Sequence, residues 1–176
     1  RQALPIVWDF CEVVPTSTQS GGFDGAVDWV TRVAEAWPGS VTGQVQPADA
    51  AEHPLPDETA CIWFTDPPYY DSVPYADLSD FFFVWLKRSL PAYRRLGDSL
   101  DGRNQLTPKI REAVRDEQDH LDGRPKKPTE WYEQTMHRAF TQGRRVLQPN
   151  GIGSVIFAHK TTEGWEALLS GMILAG

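Results

Sequence analysis

The residues of this chain best suited to chemistry are Asp66, Pro67, Pro68 and Tyr69, which follow the run Ala60-Cys61-Ile62-Trp63-Phe64-Thr65. Each proline fixes φ and carries no N–H, so the carbonyls of Asp66 and Pro67 are held in set directions with no adjacent donor to compete for them. Together with the Asp66 carboxylate they form a cluster of acceptors beside an aromatic plate, Tyr69. A planar ring bearing an exocyclic NH2 suits such a cluster, because its two N–H bonds meet two acceptors while its face stacks on tyrosine. A phosphate, which needs donors, suits it poorly. Tyr70, Asp71 and Tyr75 follow closely and are candidates to line the same pocket, with packing at its rim as the alternative. His159 ends a later apolar run and falls on the same sheet edge as Asp66 if the two strands are parallel. A bare turn of this kind is also compatible with a stiff loop; its position between a strand and a helix favours the chemical reading.

An apolar run that halts at a carboxylate and two prolines predicts a buried strand, 60–64, delivering a rigid turn to a sheet edge, where open α/β proteins place their sites. Upstream, Asp24 is positioned to cap a helix with Val27, Val30, Val33, Ala34 and Trp37 at helical spacing, closed by Pro38-Gly39. A short extended run, 41–45, then leads to a loop carboxylate, Asp49. Downstream, Asp77 is positioned to cap a helix whose apolar face carries Leu78, Phe81, Phe82, Trp85 and Leu86, with Lys87 and Arg88 at its end. Leaving directly from the proline turn, this helix is expected to pin the turn to the core.

Residues 97–128 read as a polar insertion with one short surface helix at about 108–118. Thr129 opens a long helix through Leu147, with Tyr132, Met136, Ala139, Phe140, Gly143 and Leu147 on one side. Gln148-Pro149-Asn150-Gly151 reads as a turn and 152–158 as a second buried strand. A last helix, about 162–174, turns Trp165, Leu168, Leu169, Met172 and Ile173 inward. Non-alternating apolar strands separated by helices predict a parallel sheet with helices on both faces. Three strands do not finish such a sheet, so residues 1–176 are expected to form a single but partial domain of a longer polypeptide.

The formal charge of −7 at first argues against nucleic acid as a partner. Its distribution is uneven: residues 87–127 hold eleven Lys and Arg against seven Asp and Glu. A local basic segment attracts phosphate over about a Debye length, with Arg94, Arg95, Lys126 and Lys127 as candidate backbone contacts and a solvated mixed-charge face as the alternative. No stretch approaches the length of a membrane span, and no export signal is visible. Cys11 and Cys61 lie far apart, and His53, His120 and His137 show no ligand spacing, so neither a disulfide framework nor a metal site is expected, and a reducing cytoplasm is the default.

Asp66-Pro67-Pro68-Tyr69 at a strand end resembles the D-P-P-Y motif of methyltransferases that use S-adenosylmethionine to modify exocyclic nitrogen, chiefly N6 of adenine in DNA. The longer run 65–88, TDPPYYDSVPYADLSDFFFVWLKR, is similar to bacterial adenine-specific DNA methylases that contain a zinc ribbon, large proteins often linked to phage defence. Gln148-Pro149-Asn150-Gly151 resembles the turn before the fifth strand of that fold. The resemblance implies an α/β, Rossmann-like methyltransferase fold, incomplete in this chain, acting on DNA with the target base flipped out. It implies that Asp66 and the Pro67 carbonyl hold the amine while Tyr69 stacks on the base, proximity and orientation carrying most of the rate. Asp49 matches weakly the acidic position that meets the cofactor's adenine end. Cytosine N4, guanine N2 in RNA and a protein glutamine are alternative targets. Two family features are missing from the sequence, the glycine-rich cofactor loop and the zinc ribbon, and the lack of the loop supports a base-binding module without methyl transfer as the other class of function.

Overall fold

The computed structural model describes residues 14, 16–19, 21–37, 39, 43–44, 46, 48–91, 98 and 102–176. Two compact units divide the chain, Ala3–Pro47 and Ala48–Gly176. The first contains α1, Phe23–Ala36. Gly22, not Asp24, occupies its N-cap; Asp24 lies inside the first turn, where its charge still favours the helix dipole. The expected strand at 41–45 falls largely outside the described residues, and residues 43–44 have no regular structure.

The second unit runs β1 (Ala60–Thr65), α2 (Tyr75–Ser89), α3 (Thr129–Val146), β2 (Leu147–Val155) and α4 (Thr162–Leu174). It is a mixed α/β arrangement in which β1 and β2 pair in parallel, as the unbroken apolar runs predict, with Ile62 opposite Ile152 and Thr65 opposite Val155. The register slips between Ala60 and Ile62, so Gln148-Pro149-Asn150-Gly151 is an irregular excursion within β2 and not a turn ahead of it. β2 also ends sooner than expected, at Val155, and only the Ile156 N–H extends the pairing by reaching the Thr65 carbonyl.

The core lies between α3, α4 and the start of the proline turn. Tyr132, Met136, Phe140, Ala167 and Leu168 close around Tyr70, with Trp63, Val155 and Phe157 packed against them. α3 buries five of the residues its periodicity assigns inward, and Val146 takes the place expected for Leu147. Gly143 is required by contact: a Cβ there would lie 2.4 Å from the Trp63 indole, so the missing side chain lets β1 seat on α3. α4 turns Gly164, Ala167, Leu168 and Gly171 inward, whereas Trp165, Leu169 and Ile173, expected inside, are exposed.

The strands are less buried than their composition predicts: Ile62, Phe64 and Ile152 are each more than 60% exposed. α2 departs further from expectation. Its apolar stripe forms as predicted, but Phe81, Phe82 and Trp85 are uncovered, so this face does not pin the turn to the core. Polar bonds on the opposite side hold the helix instead. Arg124 makes a two-pronged pair with Asp77 at 2.9 and 2.8 Å, Lys109 meets Asp80 at 2.8 Å, Thr107 bonds Asp80, and Glu112 accepts the Ala76 N–H. Asp77 therefore pairs across to the insertion and does not cap, since Pro74 holds the N-cap. The helix expected at about 108–118 is absent; the segment is irregular and tied by an antiparallel bridge between Asp116 and Lys127.

Candidate functional site

An open cleft of about 420 Å³ is lined by Asp66, Pro67, Pro68, Tyr69 and Tyr75. The four residues singled out for chemistry thus lie together with Tyr75, one of the four expected to line their pocket. β1 delivers Asp66 at its end, the prolines turn the chain, and α2 returns Tyr75 to the rim.

The turn is locked from behind. Its Pro68 carbonyl accepts the Tyr132 phenol at 2.9 Å and the Tyr70 N–H at 3.0 Å, and Ser72 N–H closes on the Tyr69 carbonyl. Tyr70 holds φ at +53°, a left-handed conformation that is uncommon for a bulky residue and is kept here by the bonds around it. Its phenol bonds Thr129 at 2.8 Å and donates to Glu163 at 2.7 Å, its carbonyl accepts the Arg115 N–H, and its ring meets Tyr132 and His159 edge-on. Burial, with Glu163 adding to it, pushes the Tyr70 phenol up to about 12. Tyr70 is therefore a core residue and not part of the pocket lining. Thr129 is the first residue of α3, and its hydroxyl serves Tyr70 in place of the expected cap.

On the cleft side the acceptors are available. Among the described residues no hydrogen bond reaches the Pro67 carbonyl. The neighbouring Asp66 carboxylate raises the phenol of Tyr69, with slight burial acting in the same direction. The Tyr69 ring is backed edge-on by Phe157 at 5.4 Å, and Phe157 in turn by Trp165 at 5.0 Å, so the plate beside the acceptors is fixed by aromatic packing.

Asp71 and His159 do come together at this edge, but as partners of one another. His159 Nε2 lies 3.1 Å from Asp71, its Nδ1 meets Thr161, and only 5% of its side chain is exposed. A Cβ on Gly164 would lie 2.3 Å from Nδ1, so α4 begins directly against the imidazole. The pocket role expected of His159 gives way to a supporting one, with Asp71 also 3.5 Å from Arg115.

Asp49 has both carboxylate oxygens engaged, one by the Ala51 N–H at 2.8 Å and the other by Arg111 at 3.1 Å. Each of these oxygens keeps a further lone pair, so Asp49 remains able to accept from another donor. Arg94 and Arg95 lie outside the described residues. Lys126 is half-exposed beside Asp119. Lys127 contradicts its expected surface role: it is buried, its ammonium donates to the carbonyls of Lys109 and Glu112, and burial lowers it despite the nearby Glu112 charge. Among the described residues no group of acidic, histidine and cysteine side chains could hold a metal, and no helix is long and apolar enough to cross a membrane.

Sequence reasoning missed Tyr132, Phe157 and Arg115 as supports of the turn. Tyr132 carried a signal, being a phenol on an otherwise apolar helix face, where the buried hydroxyl must find a partner. No family model, curated protein or solved structure matches the chain.

Proposed function

We propose that the cleft binds a flipped-out adenine by its N6 amine, as the target-amine side of S-adenosylmethionine-dependent DNA methylation on a Rossmann-like scaffold. The observation that carries this reading is the cleft itself, in which two unsaturated acceptors, Asp66 and the Pro67 carbonyl, stand beside a braced aromatic ring. Two N–H bonds to these acceptors fix the amine in place and leave its lone pair free of both, the orientation a methyl acceptor needs. Asp66 acts as an acceptor and not as a base. The glycine-rich loop that would hold the methyl donor is missing from the sequence, and Asp49 already accepts from the Ala51 N–H and Arg111. That same observation favours the second reading, a module that binds the base without methyl transfer.

The test is a fluorescence-anisotropy titration with a short single-stranded oligonucleotide carrying one adenine, against the same oligonucleotide carrying unsubstituted purine, which lacks the amine. Two hydrogen bonds at about fivefold each predict about 25-fold tighter binding of the adenine form, cut to about fivefold in Asp66→Ala, which keeps the Pro67 carbonyl. Equal affinity in the parent protein would refute the site. Transfer of radiolabelled methyl from S-adenosylmethionine to the oligonucleotide separates the two readings.

A further inference from the structure

We infer that the uncovered face of α2 is a stacking platform for the bases that flank the held adenine in a single strand. This rests on the base-binding reading above. Tyr75 opens α2 and lines the cleft. At 3.6 residues per turn, positions seven and eleven further on return to the same side of a helix, so Tyr75, Phe82 and Leu86 form one row. All three are exposed, and Phe81 and Trp85 widen the row on one flank. At about 1.5 Å per residue, Phe82 lies about 10 Å along the axis from Tyr75, roughly three nucleotide steps at about 3.4 Å each.

The chemistry of the row fits bases better than another apolar face. Phe81, Phe82 and Trp85 are each more than 60% exposed and offer π faces on which any base can stack. The guanidinium of Arg88, also exposed, lies 5.9 Å from the centre of the Trp85 ring, so a cation stands beside the aromatics, the pairing that suits an anionic strand. No carboxylate of α2 shares this side: its two acids, Asp77 and Asp80, face the insertion and pair with Arg124 and Lys109. The polar bonds that fix α2 therefore leave its aromatic side continuous with the cleft and without a helix charge that repels phosphate.

The probes are fluorescein-labelled single strands: one adenine between thymines, and the same strand with the thymine bases removed to leave abasic sugars, so that charge and length are unchanged. Anisotropy titrations give the flank ratio between these two, and a third strand with purine in place of adenine gives the amine ratio. Two stacked bases at about fivefold each predict a flank ratio of about 25 in the parent protein. Phe82→Ala should cut it to about fivefold and leave the amine ratio unchanged, and Phe82→Tyr, which keeps a ring, should retain the parent value. Trp29→Ala in α1 removes a similarly exposed ring and should change neither ratio.

A flank ratio near unity in the parent protein, a ratio unmoved by Phe82→Ala, or an equal fall in Trp29→Ala overturns the inference while leaving the cleft intact. An amine ratio near unity means instead that the cleft does not hold the adenine amine, and the base-binding reading itself fails. Sedimentation velocity completes the test: a dimer of the parent protein that Phe82→Ala dissociates, with a flank ratio near unity, assigns the face to a second copy and overturns the inference as well.

Discussion

Gly143→Ala gives a sign-decisive test of how the site is mounted. In an exposed helix interior this substitution stabilises by up to about 1 kcal/mol, since alanine loses less backbone freedom. Here an ideal Cβ would stand 2.4, 2.6 and 2.7 Å from three atoms of the Trp63 indole, all below real contact distances. Retreat of the indole is blocked on one side by Phe140, edge-on at 5.8 Å. Overpacking of this kind costs about 1–3 kcal/mol, so it outweighs the propensity gain and leaves a net loss of about 1–2 kcal/mol. For a unit of this size that lowers Tm by roughly 3–8 °C. Trp63 belongs to the strand that carries Asp66, so adenine affinity should fall with stability. Thermal melts followed by near-ultraviolet circular dichroism supply the measurement. Gly25→Ala in α1, where a Cβ would meet nothing within 4 Å, is the control and should be neutral or stabilising. A raised Tm in Gly143→Ala would refute the packing of β1 on α3 as the mount of the turn.

Three further outcomes follow from the charges and phenols. Tyr70, pushed up to about 12 in the fold against 10.0 ordinarily, keeps its proton where the unfolded chain loses it, so its contribution of about 3 kcal/mol is full below pH 10 and is lost as pH rises towards 12; urea unfolding across that range should show the fall, and Tyr70→Phe should flatten it. Burial alone would raise Asp80, but its bonds to Lys109 and Thr107 outweigh burial and hold it low, so its contribution is present above pH of about 4 and is lost as pH falls below it; hydrogen exchange of α2 should accelerate there, and an Asp80→Asn protein with the same acid profile would rule this out. Lys127→Met should leave the salt dependence of oligonucleotide binding unchanged, because a buried ammonium meets no phosphate; a slope reduced by about one would return Lys127 to the surface role.

What the sequence made legible follows from the reach of each signal. Periodicity located α1 through α4 within a few residues because helical spacing is local. Parallel pairing of β1 and β2 followed from their unbroken apolar character, and the Asp66–Tyr69 cluster from the fixed geometry of proline. Capping was misjudged at Asp77 and Thr129 because each of these side chains had a competing partner far along the chain, Arg124 and Tyr70, and at Asp24 because Gly22 takes the N-cap. Tyr70 illustrates the same limit: nothing local distinguishes it from Tyr69, yet one ring faces the cleft and the other fills the core. Lys127 was misjudged for a similar reason, since composition counts charges and says nothing of their partners.

Those partners also explain how the cleft keeps its second wall. A helix of fifteen residues is marginal in isolation, and α2 gains little from its uncovered aromatic stripe. Its position derives from Arg124 on Asp77, Lys109 on Asp80 and Glu112 on the Ala76 N–H, all of which join it to the polar insertion. Tyr75, the first residue of α2, lines the cleft beside Asp66. The two walls of the site are therefore held by different physics. Asp66 and Tyr69 rest on the apolar packing of Trp63, Phe140, Phe157 and Tyr132, which is indifferent to salt, whereas Tyr75 rests on half-buried ion pairs, which salt and acid weaken. The insertion thus holds the helix whose first residue lines the site.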